Sequence, residues 1–400
     1  MSRRGVALLV GLCALAAVLR VGAIAYLHST RTAPEENRII AANLAAGRGF
    51  TFTEFGVTGP TAIRGPLYPM LLAVVGPDRV AFVLAVNVAA GIAGVVLAYL
   101  LTRQLLGRGR VPWVVGTLFA VWPTQVYAAT LTQGLAIAVP LTLAAIRLAM
   151  TAAPPVAVAG GLLAGLAALC EPSLALPLLL VLFVIGRRVP PQSAALYGLT
   201  ACVVVAPWLY RNAVVFGRPT PVTSNFWRSA FLGNGPDASG SRVVRLDRST
   251  PTGPEDKTRI DLLPPAEFDA LKRPERQRLD VMTSATVRWV VHHPFDYLKL
   301  CGRRAWQVFA CDYPHPLARY LVVNVVGAML SGGLLLFACF GDRSLYRSVT
   351  LMLAVGLIVP MVGVMSDPRL LPLLDIPLLM AAAGPLLLRR RVAGVAGRAS

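Results

Sequence analysis

Hydrophobic runs of membrane length fill most of this chain, and only two substantial polar stretches interrupt them, at residues 28–66 and 217–318. A helix crossing a hydrocarbon core of about 30 Å needs roughly 20 apolar residues. Segments near 5–27, 80–104, 112–130, 133–151, 155–170, 172–186, 192–210, 320–340, 348–365 and 370–388 meet or approach that length. The expected fold class is an all-α polytopic membrane protein with about ten transmembrane helices. Residues 155–170 and 172–186 flank Glu171-Pro172, which suits either a re-entrant pair or a broken helix. The leading run follows Arg3-Arg4, yet it is too long for a signal peptide, is interrupted by Arg20 and lacks a convincing small-residue cleavage site.

Composition agrees with a lipid setting. Apolar residues make up 56% of the chain and charged residues 14%, against about a quarter charged in soluble domains. Mean hydropathy is +0.64. The net charge of +19 is not a nucleic-acid signal, because no basic run is interleaved with exposed aromatics. Its arginines cluster at span ends. Arg3, Arg4, Arg103, Arg108, Arg110, Arg147, Arg187, Arg188, Arg343, Arg347 and Arg389 to Arg391 fall on one side if ten spans alternate. Short loops rich in Lys and Arg stay in the cytoplasm. Both termini are therefore expected inside the cell, in a multi-pass plasma-membrane protein whose polar stretches lie outside.

Three regions follow: residues 1–216, a transmembrane bundle carrying the outer loop 28–66; 217–318, a modest extracytoplasmic domain; and 319–400, the last spans and a basic cytoplasmic tail. Cys13, Cys170, Cys202, Cys301, Cys311 and Cys339 have no metal-ligand spacing, and His28, His292, His293 and His315 are scattered. No phosphate-binding glycine loop of the Walker type is present, which removes the engine of an ATP-driven pump.

The loop 28–66 carries the sharpest local pattern. Pro34, Glu35 and Glu36 suit a helix start, Ile39, Ile40 and Leu44 form an apolar stripe, and Gly47 ends the helix. This describes an amphipathic helix at the membrane interface. Beyond it, Gly47-Arg48-Gly49-Phe50, Thr58-Gly59-Pro60-Thr61-Ala62 and Pro66-Leu67-Tyr68-Pro69 predict a shaped loop rather than a strand. A short interfacial helix is expected from Pro66 to Val75. In the second polar stretch, Phe216 to Asn234 is turn-rich, Asp237 to Lys257 reads as a polar loop, and 265–290 reads as helical.

Glu36 to Phe50 with the Gly-Pro-Thr-Ala and Pro-Leu-Tyr-Pro segments resembles the first outer loop of GT-C superfamily glycosyltransferases. The nearer resemblance is to bacterial membrane proteins of the dolichyl-phosphate-mannose protein mannosyltransferase (family 39-like) type. It continues at Pro207-Trp208-Leu209-Tyr210-Arg211-Asn212, Ser224-Asn225-Phe226, Gly233-Asn234, His293-Pro294-Phe295 and Asp367-Pro368-Arg369-Leu370-Leu371-Pro372. The resemblance implies a polyprenyl-phosphate-linked sugar as donor, transfer on the non-cytoplasmic side, and a catalytic carboxylate in the first outer loop. That carboxylate falls on Glu36, where the family's usual residue is Asp, and Asn37 sits near where Tyr is common.

The chemistry asks for the same residue types. A carboxylate accepts the proton of the acceptor hydroxyl, and arginine forks stabilise the departing phosphate. Glu36 is the expected catalytic residue. Arg211, Arg369 and Arg64 are the expected phosphate-binding cations, and Glu35, Tyr68, Glu171, Asn225 and His293 the candidate lining residues. No metal ligand set is expected and no cofactor beyond the lipid-linked donor; metal dependence and the acceptor stay open. Plainer readings exist: a first-turn helix acid for Glu36, snorkelling for Arg211, a turn ion pair for Arg369 and a lipid-facing charge for Arg64. Two rival functions also stand. One is a transporter or flippase for lipid-linked sugars. The other is a non-catalytic relative in envelope assembly, which the atypical Glu36 and Gln133 would suit.

Overall fold

The computed structural model describes residues 2–29, 35–107, 109–151, 153–236, 238–239, 263–310, 345–363 and 371–382. The first span, α1 (Arg3–Tyr26), is started by Ser2, whose Oγ accepts the Gly5 amide at 3.2 Å. The first polar loop then supplies α2 (Glu36–Ala45), strands β1 (Thr51–Glu54) and β2 (Val57–Pro60), and α3 (Leu67–Val75). The bundle continues with α4 (Val80–Leu106), α5 (Val111–Val121), α6 (Pro123–Ala128), α7 (Leu135–Ala149), α8 (Pro154–Cys170), α9 (Ala175–Gly186) and α10 (Pro191–Phe216). Among the described residues, α1, α4 and α10 are long and apolar enough to cross a membrane. This is a membrane protein. The expected spans at 320–340 and part of 370–388 lie outside the described residues.

Proline makes two breaks, one inside an expected span and one where the sequence already placed it. The 112–130 run is not one helix: Trp122 turns extended, with φ −66° and ψ 127°, because the ring of Pro123 excludes the helical conformation before it. The break leaves carbonyls at the end of α5 without helical donors. Arg20 of α1, 1% exposed, satisfies them, donating from Nη2 to Phe119 O and from Nη1 to Ala120 O, each at 3.2 Å. The second break is at Glu171, extended before a short 3₁₀ turn at Pro172–Leu174.

The first polar loop departs from the all-α expectation. β1 and β2 form an antiparallel hairpin with Glu54 opposite Val57. The two-residue turn, Phe55-Gly56, has φ of 53° and 77°, so both positions take the left-handed conformation that matches strand twist in tight hairpins. A phenylalanine there is strained. Phe55 is held by an edge-on contact with Phe268 at 5.7 Å and by the Arg278 guanidinium at 5.3 Å.

The second polar stretch gives α11 (Asn225–Gly233), α12 (Pro265–Leu271), α13 (Glu275–His292) and α14 (Pro294–Ala310), and the last described helices are α15 (Leu345–Gly363) and α16 (Leu371–Ala382). Phe231, Leu232, Leu271 and Met282 form a small core, against which Phe55 of the hairpin packs. Two polar pieces far apart in sequence thus share one core. Glu54 reinforces this, accepting from Arg228 Nε at 2.9 Å and Arg278 Nη2 at 2.8 Å. Helix α14 is inverted relative to a soluble helix: Phe295, Leu298 and Trp306 are exposed, while Arg304 is buried. The Arg304 guanidinium donates to Gly233 O and Asn234 Oδ1 at 2.7 Å and to Val362 O at 3.1 Å. Burial lowers its pKa from the ordinary arginine value.

Candidate functional site

The polar site forms where the first loop meets the Glu171 break. Two close backbone approaches create it. A Cβ at Gly65 would fall 2.4 Å from Leu169 O, and one at Gly134 would fall 2.8 Å from Cys170 Sγ. Only glycine lets the loop and the start of α7 press against the end of α8. The space left between them is a cavity of about 50 Å³, whose lining includes Asn37, Arg64, Tyr68, Gln133, Glu171 and Asn225. A volume of that size holds a few water molecules, not a sugar ring.

Glu36 reaches this cavity through Arg64. Its Oε2 lies 3.1 Å from Arg64 Nη2, with the two side chains 22% and 19% exposed. Arg64 Nε is buried and has no hydrogen-bond partner, so the guanidinium keeps donor capacity beyond the ion pair. Glu35, the residue before α2, accepts from Gln133 Nε2 at 3.1 Å. Asn37 Nδ2 donates to Thr132 O at 3.4 Å. Glu171 accepts from Ser173 Oγ at 3.0 Å. Burial pushes the Tyr68 phenol pKa up, with Asn87 pulling it the other way.

The structure thus gathers Arg64, Tyr68, Glu171 and Asn225 around one cavity, with Glu36 and Glu35 each one contact away. It does not bring Arg211 or His293 to it. The Arg211 guanidinium points into the first loop, donating to Thr61 O at 2.8 Å and Phe50 O at 3.3 Å. It stacks over Trp208 at 4.8 Å. Its observed work is to staple the loop to the end of α10. His293 stacks on Trp289 at 5.6 Å and lines a separate cavity of about 440 Å³. Arg369 lies outside the described residues. Among the described residues no three His, Cys, Asp or Glu side chains gather as metal ligands.

Three contributors carry weaker sequence signals. Gln133 is a polar residue in a short connection between apolar runs, which marked it for attention. Asn37 follows Glu36 directly. Glu275 carries no local signal at all, yet its Oε1 accepts from Ala62 N at 3.1 Å and Ser224 Oγ at 2.6 Å. It ties α13 to the segment that presents Arg64.

No family model matches this chain, and no curated protein matches it. Among solved structures, it is similar to ArnT from Cupriavidus metallidurans bound to undecaprenyl phosphate, at 14% identity and a TM-score of 0.44, over 96% of this chain and 79% of that one. It is also similar to the oligosaccharyltransferase of Archaeoglobus fulgidus in complex with Zn and sulfate, at 15% identity and a TM-score of 0.49, over 95% of this chain and 49% of that one. The apo form of the same ArnT gives a TM-score of 0.37 at 15% identity, over 88% of this chain and 73% of that one.

Proposed function

We propose that this chain is a GT-C-type glycosyltransferase that moves a sugar from a polyprenyl-phosphate carrier to an acceptor at the outer face of the membrane. The observation that carries this reading is the Glu36–Arg64 pair at the edge of a polar cavity, in the loop whose motifs resemble that family. In the proposed reaction the acceptor hydroxyl gives its proton to the Glu36 carboxylate. The acceptor oxygen bonds to the sugar's anomeric carbon, and the bond from that carbon to the phosphate oxygen breaks. The lipid phosphate leaves as an anion beside Arg64, whose unpartnered Nε offers it a hydrogen bond. Entry of the sugar requires the loop near Arg64 to shift, since the cavity is small.

The test is Glu36→Gln in the full-length protein, assayed in proteoliposomes with labelled polyprenyl-phosphate sugars and a cell-envelope extract as acceptor. Amide for carboxylate keeps the shape and removes the base, which costs about 10²–10⁴-fold in rate. Glu35→Gln is expected to have a much smaller effect. Near-full turnover by Glu36→Gln would return Glu36 to the role of a helix-start acid. The flippase reading keeps one specific support, the two proline-broken helices at Trp122-Pro123 and Glu171-Pro172. Movement of labelled lipid-linked sugar across the same proteoliposomes without any transfer would favour it.

A further inference from the structure

A second polar region lies at the other end of the bundle, where α1 begins, α4 ends and α5 begins. A cavity of about 620 Å³ opens there, lined by Arg4, Leu8, Tyr99, Arg103, Pro112 and Trp113 among others. An adjoining cavity of about 340 Å³, where α4 ends beside the end of α7, is lined by Leu100, Arg103, Gln104, Arg147 and Thr151. Arg103 faces both. Among the described residues, no acidic side chain lines either cavity. Among the described residues, the guanidinium groups of Arg4, Arg103 and Arg147 make no hydrogen bond or ion pair, and Arg147 Nε is buried without a partner.

The arginines here face no carboxylate among the described lining residues. Arg103 and Arg147 sit in the last turns of α4 and α7, where the helix dipole favours a cation. Arg4 sits in the first turn of α1, with no acidic residue beside it, where the dipole opposes a cation. The larger cavity has an aromatic wall, since Tyr99 and Trp113 pack with ring centroids 4.6 Å apart. It is also open to the apolar outside of the bundle, because Leu8 is 63% exposed. Arginines gathered on one wall, an amphipathic aromatic pair on another and an apolar flank suit a lipid head group rather than a soluble anion.

We propose that this cavity seats the head group of an anionic phospholipid of the inner leaflet, its phosphate held by Arg4 and Arg103 and flanked by Arg147, with its acyl chains running along α1. Native mass spectrometry of the delipidated full-length protein tests it, by titration with phosphatidylglycerol, phosphatidylcholine, inorganic phosphate and a polyprenyl phosphate. Phosphatidylglycerol is expected to bind at low stoichiometry and more tightly than phosphatidylcholine. Arg4→Ala and Arg103→Ala are each expected to weaken it about fivefold, while Arg187→Ala, elsewhere on the chain, leaves it unchanged. Arg4 is exposed on the first turn of α1, so that variant keeps the test valid if Arg103→Ala folds poorly. Equal binding of the two phospholipids, or equal binding by wild type and Arg4→Ala, would overturn the site. Displacement of phosphatidylglycerol by inorganic phosphate or polyprenyl phosphate at lower concentration would overturn the choice of occupant.

Discussion

At the loop-bearing end of the bundle, Arg64 meets Glu36, Arg228 and Arg278 converge on Glu54, and Arg211 and Arg304 donate to backbone carbonyls. At the opposite end, Arg4, Arg103 and Arg147 have no protein partner among the described residues. The same residue type plays two parts. Where the chain supplies the acceptor, the arginine fixes tertiary structure and its removal strands a buried group. Where the chain supplies none, the arginine is left to the surroundings, and its removal should be felt by a ligand and not by the fold.

That contrast can be broken by experiment. The largest expected effect is at Glu54, whose carboxylate is 10% exposed and faces two arginines, one of them 5% exposed. Glu54→Gln should cost about 3–5 kcal/mol, since it leaves buried guanidinium charge unpaired. Thermal unfolding of the full-length protein in detergent reads this, and an unchanged transition would mean the cluster is solvated rather than buried. Arg304→Met comes next, with a loss on the order of 3 kcal/mol from carbonyls left without charged donors. Retention of wild-type stability there would remove Arg304 as the link between α11, α14 and α15.

Arg211→Lys is the intermediate case. A lysine keeps the charge but loses the fork onto Thr61 and Phe50 and the guanidinium stack on Trp208, for about 1 kcal/mol. Hydrogen exchange should quicken at the Thr61 amide, which donates to Phe50 O at 3.1 Å. Slowed donor turnover with unchanged exchange would instead return Arg211 to the phosphate. The smallest effect belongs to the far end. Arg103→Ala and Arg4→Ala should shift lipid-free stability by no more than about 0.5 kcal/mol. A larger loss would show that these arginines are structural after all.

Residue type and spacing decided much of this molecule in advance. The lengths of the apolar runs set α1, α4 and α10, because lipid thickness admits few other solutions. Glu171-Pro172 announced a break, and Gly47 ended α2 as expected, at φ 71°. Local rules went astray where chemistry is long-range. Thr58-Gly59-Pro60 reads as loop, yet it pairs as a strand because Thr51–Glu54 lies opposite. Trp122-Pro123 breaks a run that hydropathy alone leaves whole. Arg211 donates to a carbonyl 150 residues away in sequence, a contact no local pattern shows. What the sequence by itself determined is the membrane setting, the two polar stretches and the acids and arginines available at each. Only the tertiary structure decided which arginine meets Glu36, and that the hairpin completes the core of the second polar stretch. Pairing of charges and closure of a core depend on distances between segments, and no one-dimensional pattern carries those.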